Sequence, residues 1–188
     1  VYHVPAPDWF AVFGEYYVDQ FREWDGYPPS NVVPIGGLRH DSLLEEYNLG
    51  NNQSKQINKL REKLGLPIDQ TVILLCGGDG RQTENWFRTL LNAQQRIDLN
   101  AFVAVKLHQY HGGADVVETA AAEQAFQSFK LYQKGVYPLM AAADVLVSGA
   151  STTVLEANLL DTYAIVIAAF RNYQLYPFEK DNLAAVAS

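Results

Sequence analysis

The sequence predicts an α/β fold, a Rossmann-like doubly wound parallel sheet, from two observations. From Gln53 onward, short aliphatic runs alternate with amphipathic segments, the pattern of β-α units around a sheet buried on both faces. The loops after those runs are rich in Gly, Ser and Thr, as expected where helix N-termini gather at the carboxyl ends of parallel strands.

In chain order, the first fifty residues stand apart. Residues 9–14 read as a strand, 15–23 as a helix and 32–36 as a second short strand, too little to build a core alone. Pro28-Pro29 and Gly36-Gly37 mark a crossing, so residues 1–52 are expected to be the end of a preceding domain and a linker. A helix is expected from about Ser42, with Asp41 as its cap and Arg39 open to either phosphate or Asp41. Residues 55–64 form an amphipathic helix with Ile57, Leu60 and Leu64 on one stripe, stopped by Gly65.

Strands follow at 71–76, 101–107, 126–132, 144–148 and 163–168, with crossover helices at 83–96, 116–124, 136–143 and 153–160. Residues 182–186 are expected to form a last strand. Residues 53–188 are thus expected to form one Rossmann-like domain, cut short at its C-terminus. The opening Tyr2-His3-Val4-Pro5, with no Met before it, predicts a piece of a longer chain.

Composition bounds the function. Of 188 residues, 48% are apolar and 19% charged, which excludes disorder; no apolar run reaches the roughly 20 residues of a membrane span. The net charge of −7, without clustered Lys or Arg, argues against nucleic acid as a partner, while one nucleotide can still be held by backbone amides and a few side chains. The single cysteine, Cys76, ends an apolar run as a buried thiol, and a reducing compartment is permitted. No His/Cys/Asp/Glu spacing suggests a metal, and no α/β-hydrolase elbow or P-loop is present.

Three strand-end loops carry the candidate chemistry. Gly77-Gly78-Asp79-Gly80-Arg81 suits close backbone approach by phosphate, with Arg81 as its cation; the alternative is a tight turn needing positive φ. Lys106 and His108 share one side of the second strand and end it with groups that bind phosphate or exchange protons near neutral pH, whereas His111 reads as solvated. Ser148-Gly149-Ala150-Ser151-Thr152-Thr153 places hydroxyls where a helix begins, an anion site. Thr153 and Glu156 also satisfy the spacing of a capping box, which would explain those two residues but not the rest of the run.

The order of these segments carries a resemblance. The glycine loop at Gly77 to Arg81, then Val105-Lys106-Leu107-His108, then Tyr137 through Asp144 to Ser148, then Ser151-Thr152-Thr153 with Glu156-Ala157, resembles the C-terminal domain of GT-B glycosyltransferases. It looks most like the branch of CDP-glycerol glycerophosphotransferases and capsular polysaccharide transferases. Gln109 stands where that branch commonly has proline, and Gly149-Ala150 where an aspartate-tyrosine pair often precedes the serines; both loosen the tie to glycerophosphate transfer and leave the superfamily untouched.

The resemblance implies that Ser151, Thr152 and Thr153 hold a donor diphosphate, Glu156 the ribose, and His108 the phosphate or leaving group. Arg81 and Gly77, Gly78 and Gly80 would line the same cleft. It further implies a nucleotide-sugar or CDP-polyol donor as substrate without a separate cofactor or metal, and a glycan acceptor. The general base would come from the rest of an N-terminal domain, and the location would be cytoplasmic, at or near the inner face of the membrane. A non-hydrolysing sugar-nucleotide epimerase shares the architecture, and a non-catalytic binding or scaffold module is the third reading.

Overall fold

The computed structural model describes residues 7–22, 28–47, 53–108, 112–167 and 184–187, in two compact units, Val1–Glu46 and Tyr47–Ser188. In the first unit, β1 (Phe10–Val12) pairs in parallel with β2 (Val32–Pro34), and α1 (Glu15–Arg22) packs beside them. Val12, Val18 and Val32 are buried there against Phe10, Tyr17 and Phe21, so the stretch does gather a small apolar cluster, while Trp9, Phe13 and Ile35 stay exposed.

The helix expected from Ser42 begins earlier. α2 spans Leu38–Tyr47, with the His40 N–H donating to Gly37 O, so Asp41 lies within the first turn and does not cap it. Gly37 leaves room for the His40 ring, which is why the turn can tighten one residue after it.

Among the described residues the second unit is built on a six-stranded, fully parallel sheet. Its strands are β3 (Thr71–Cys76), β4 (Ala101–Lys106), β5 (Phe129–Tyr132), β6 (Val145–Ser148), β7 (Tyr163–Ile167) and β8 (Ala185–Ala187), in the spatial order β5-β4-β3-β6-β7-β8. The helices are α3 (Gln53–Leu64), α4 (Gly80–Arg96), α5 (Ala114–Glu123), α6 (Val136–Ala142) and α7 (Thr152–Leu159).

Alternation along β3 divides the core. Val72, Leu74 and Cys76 pack with Leu139 and Met140 of α6 and Val154 of α7, whereas Ile73 and Leu75 face Phe87 and Leu91 of α4 and Val117 of α5. Helices thus cover both faces, and strands buried on both sides read as continuous aliphatic runs.

Several boundaries moved, two of them for reasons legible along the chain. The third predicted strand starts at Phe129, not 126, because Ala125 takes a left-handed conformation (φ 50°) and the Phe126 N–H still donates to Ala121 O, closing α5. Phe126 is apolar because its ring packs against Phe87 and Phe129, not because it is in the sheet. α4 starts at Gly80 because Asp79 caps it. The last predicted strand is found at Ala185–Ala187 beside β7; Asn182 and Leu183 lie outside the described residues.

Candidate functional site at the sheet switch point

From β3 the chain steps outward through β4 to β5, then returns through α6 to lay β6 on the other side of β3. The connections after β3 and β6 therefore leave in opposite directions, opening a crevice at their carboxyl ends where parallel α/β sheets bind ligands. Two helix N-termini point to it, and they are closed differently.

At α7 the cap is Ser151, in extended conformation (φ −145°, ψ 154°), whose hydroxyl accepts from the Thr153 N–H at 3.3 Å. The capping box that the spacing of Thr153 and Glu156 allows as an alternative is not formed. With Ser151 as cap, the third helical residue is the buried Val154, and Glu156 turns inward, 3% exposed, where the Tyr137 hydroxyl donates to its Oε1 at 3.3 Å. Ser148 Oγ, on the last residue of β6, lies 3.4 Å from Thr153 Oγ1. The fold thus brings together Ser148, Ser151, Thr152, Thr153, Glu156 and Tyr137 around one helix start capped by a neutral hydroxyl.

At α4 the cap is a carboxylate. Asp79 accepts from the Gln82 N–H at 2.8 Å, Gln82 Oε1 accepts from the Asp79 N–H at 3.3 Å, and Thr83 Oγ1 donates to Asp79 O at 2.8 Å. Neither Gly77 nor Gly78 has positive φ. They are glycines because a Cβ on Gly77 would sit 2.5 Å from Thr83 Oγ1, and one on Gly78 would run into Gln82 Oε1. An anion drawn to this helix dipole meets Asp79 first. Gly80 is the first helical residue and Arg81 is exposed beside it. Gly113, at φ 101°, brings the loop before α5 against the Gly80 Cα, where a Cβ would approach to 3.2 Å.

Lys106 closes β4, its Nζ donating to Leu107 O at 2.6 Å while its own carbonyl accepts from the Gly77 N–H at 3.0 Å. His108 is half-buried just beyond; Gln109 and His111 lie outside the described residues. Between Lys106 and Glu156 sits Cys76, buried as expected. Burial pushes its thiol up to about 12, with Lys106 opposing the shift and Glu156 adding to it, so both charges reach the end of β3.

Burial likewise pushes the Tyr132 phenol up to about 12. Both groups stay protonated in the folded chain at pH values where the unfolded chain has ionised them. Stability is therefore expected to fall from about pH 9 toward 12, with Cys76→Ala flattening the lower part of that slope; urea titrations at stepped pH measure it. A slope confined to above pH 12 would contradict the assignment.

Sequence reasoning did not single out Tyr137 or Trp86 as site residues. Tyr137 opens one of the segments that carry the resemblance, but nothing local marks its hydroxyl as facing Glu156; Trp86, whose ring meets Gly149, left no local signal. Among the described residues there is no cluster of three His, Cys, Asp or Glu side chains able to hold a metal, and no helix long and apolar enough to cross a membrane.

A six-stranded parallel sheet with this order, covered on both faces and open at the β3/β6 switch, has the Rossmann-like fold found in GT-B glycosyltransferases, the fold the motif order implied. No protein-family model matches the chain, and no curated protein sequence does. The likeness is to solved structures. With the wall teichoic acid polymerase TagF, H444N variant soaked with CDPG, the TM-score is 0.57 at 17% identity, over 93% of this chain and 40% of that one. With the UDP-GlcNAc 2-epimerase from Neisseria meningitidis bound to UDP-GlcNAc it is 0.64 at 15% identity, over 95% and 48%. With WaaG, a glycosyltransferase involved in lipopolysaccharide biosynthesis, it is 0.57 at 19% identity, over 94% and 48%. The chain thus spans between two fifths and half the length of these proteins.

Proposed function

We propose that this chain is the donor-binding half of a glycosyltransferase, serving transfer of a sugar or polyol phosphate from a nucleotide-activated donor to a cell-surface glycan. One observation carries the reading: of the two helix starts at the switch crevice, α7 is capped by the neutral Ser151 and flanked by Ser148, Thr152 and Thr153, while α4 carries Asp79. That contrast supports a diphosphate at α7, where the helix dipole and hydroxyl donors would stabilise the charge that develops on the leaving group. Lys106 adds positive potential from the next strand but one, His108 meets the phosphate or the leaving group, and Glu156 takes the ribose. Gly77, Gly78, Gly80 and Arg81 form the facing wall.

On this reading the donor is the only small molecule required, transfer proceeds without a metal, and a further N-terminal domain supplies the acceptor site and general base. This chain alone binds nucleotide without turnover. The whole protein works in the cytoplasm, at the inner face of the membrane where such glycans grow, and nucleic acid is no partner. The likeness to the UDP-GlcNAc 2-epimerase supports a second reading, interconversion of a UDP-sugar, which differs in needing no acceptor.

Calorimetric titration with CDP, UDP, GDP and CMP, with and without Mg²⁺, tests the donor site. One nucleotide is expected to bind independently of metal, and Ser151→Ala with Thr152→Ala to weaken it at least about tenfold, the equivalent of one or two lost hydrogen bonds to a charged group. Binding to none of the four removes the donor-site claim and favours a scaffold module. Conversion of a UDP-sugar without acceptor, in a longer chain carrying the N-terminal domain, would establish the epimerase reading instead.

A further inference from the structure

We infer that Trp86 is a positioning residue for the phosphate loop, setting the distance of Ser148 and Ser151 from the donor across the switch crevice; this rests on the donor-site reading above. Gly149 lies between those serines, and its φ is not positive, so no backbone requirement makes it glycine. What excludes a side chain is the indole. A Cβ on Gly149 would lie 2.7 Å from Trp86 Cη2 and 3.0 Å from Cζ2, closer than packed carbons approach.

The ring is fixed from behind. Trp86 packs on the cluster containing Phe87 and Leu91, both fully buried, and Phe87 is held against Phe129 with ring centroids 5.6 Å apart. The helix carrying it is pinned at its start by the Asp79–Gln82 capping box. A rigid helix on one side of the crevice therefore presents a stiff ring to the loop that begins the helix on the other side. Ser148 immediately precedes the touched glycine and the Ser151 cap follows two residues after it, and both serines meet Thr153. Small displacements of such a support shell loosen a site without unfolding it.

The test uses the full chain and the nucleotide that binds best among CDP, UDP, GDP and CMP. Gly149→Ala is expected to weaken binding about tenfold or more, and Trp86→Phe about threefold. Phe lacks the outer carbons of the indole, so the double variant is expected to recover to within about threefold of Trp86→Phe alone, a rescue that a merely structural role would not produce. In a Trp9→Phe, Trp24→Phe background, Trp86 emission is expected to shift on nucleotide addition. Wild-type affinity in Gly149→Ala, or additive losses without rescue, would overturn the inference while leaving the donor site intact. If Gly149→Ala does not fold, Trp86→Phe decides alone, and unchanged affinity with unchanged emission overturns it. A wild-type chain that binds no nucleotide overturns the donor reading, and this inference with it.

Discussion

Arg61→Met is expected to lower the free energy of unfolding by about 3 kcal/mol, among the largest single effects outside the apolar core. Arg61 sits in the last turn of α3, 5% exposed. Its Nε donates to Ala142 O at 2.9 Å, Nη1 to Gln70 O at 3.3 Å, and Nη2 to Asp144 Oδ2 at 2.8 Å; the same carboxylate oxygen accepts from the Val72 N–H at 2.7 Å. One guanidinium thus ties α3 to the residue before β3, the end of α6 and the approach to β6. The ion pair itself contributes little of the effect, because the Asp144 side chain is 47% exposed and its charge is screened.

The weight lies in the two carbonyls, which no water replaces as easily and which cost about 1 kcal/mol or more each when left unpaired. Asp144→Asn, which keeps an acceptor for Val72, should cost only about 1 kcal/mol. Urea denaturation of the three chains measures the difference. Because these contacts lie at the amino ends of the strands, nucleotide affinity should be unchanged in every variant. A cost below about 1 kcal/mol for Arg61→Met would show that solvent takes over the carbonyls.

The same distinction between local and tertiary causes separates what the sequence reveals from what it conceals. β3 was legible residue for residue, since Val72 to Leu75 is buried on both faces and leaves no polar position to blur its ends. The start of α4 was not. The Asp79-x-x-Gln82 spacing is that of a capping box, but it overlaps a glycine loop that also suits phosphate, and only the closeness of Thr83 and Gln82 to Gly77 and Gly78 reveals the packing reason for those glycines. Sheet order is equally invisible locally: nothing in β6 itself indicates that it returns to β3 instead of extending past β5.

At the site, hydroxyls clustered before a helix were readable from their spacing, and Ser148, Ser151 and Thr153 do meet there. The spacing of Thr153 and Glu156 is ambiguous between cap and ligand, and a helix start one residue earlier removes the cap by turning Glu156 inward. Tyr137 and Trp86 reach the site from helices that begin after other strands, so no window of sequence contains both partners of either contact.

Glu156→Gln is expected to weaken nucleotide binding by about tenfold to a hundredfold while leaving the melting temperature unchanged or slightly raised. A carboxylate 3% exposed is costly to bury, and Gln has nearly its shape and can still accept from the Tyr137 hydroxyl, so the folded chain gives up little and sheds a charge. The proposed ligand loses more. A carboxylate accepts hydrogen bonds from both hydroxyls of a ribose, and each bond to a charged acceptor contributes about 1.5–3 kcal/mol, whereas the amide presents one acceptor and no charge. The measurement is the affinity of wild type and variant for a nucleotide and for its 2′,3′-dideoxy analogue. The wild type should discriminate between them and Glu156→Gln should not, so the four affinities form a cycle whose coupling belongs to the carboxylate and the diol. Tyr137→Phe, which removes only the group orienting Glu156, should fall between. Stability gained with affinity lost would mark Glu156 as a residue kept for its ligand at the expense of the fold, and equal discrimination in both chains would place the ribose elsewhere in the crevice.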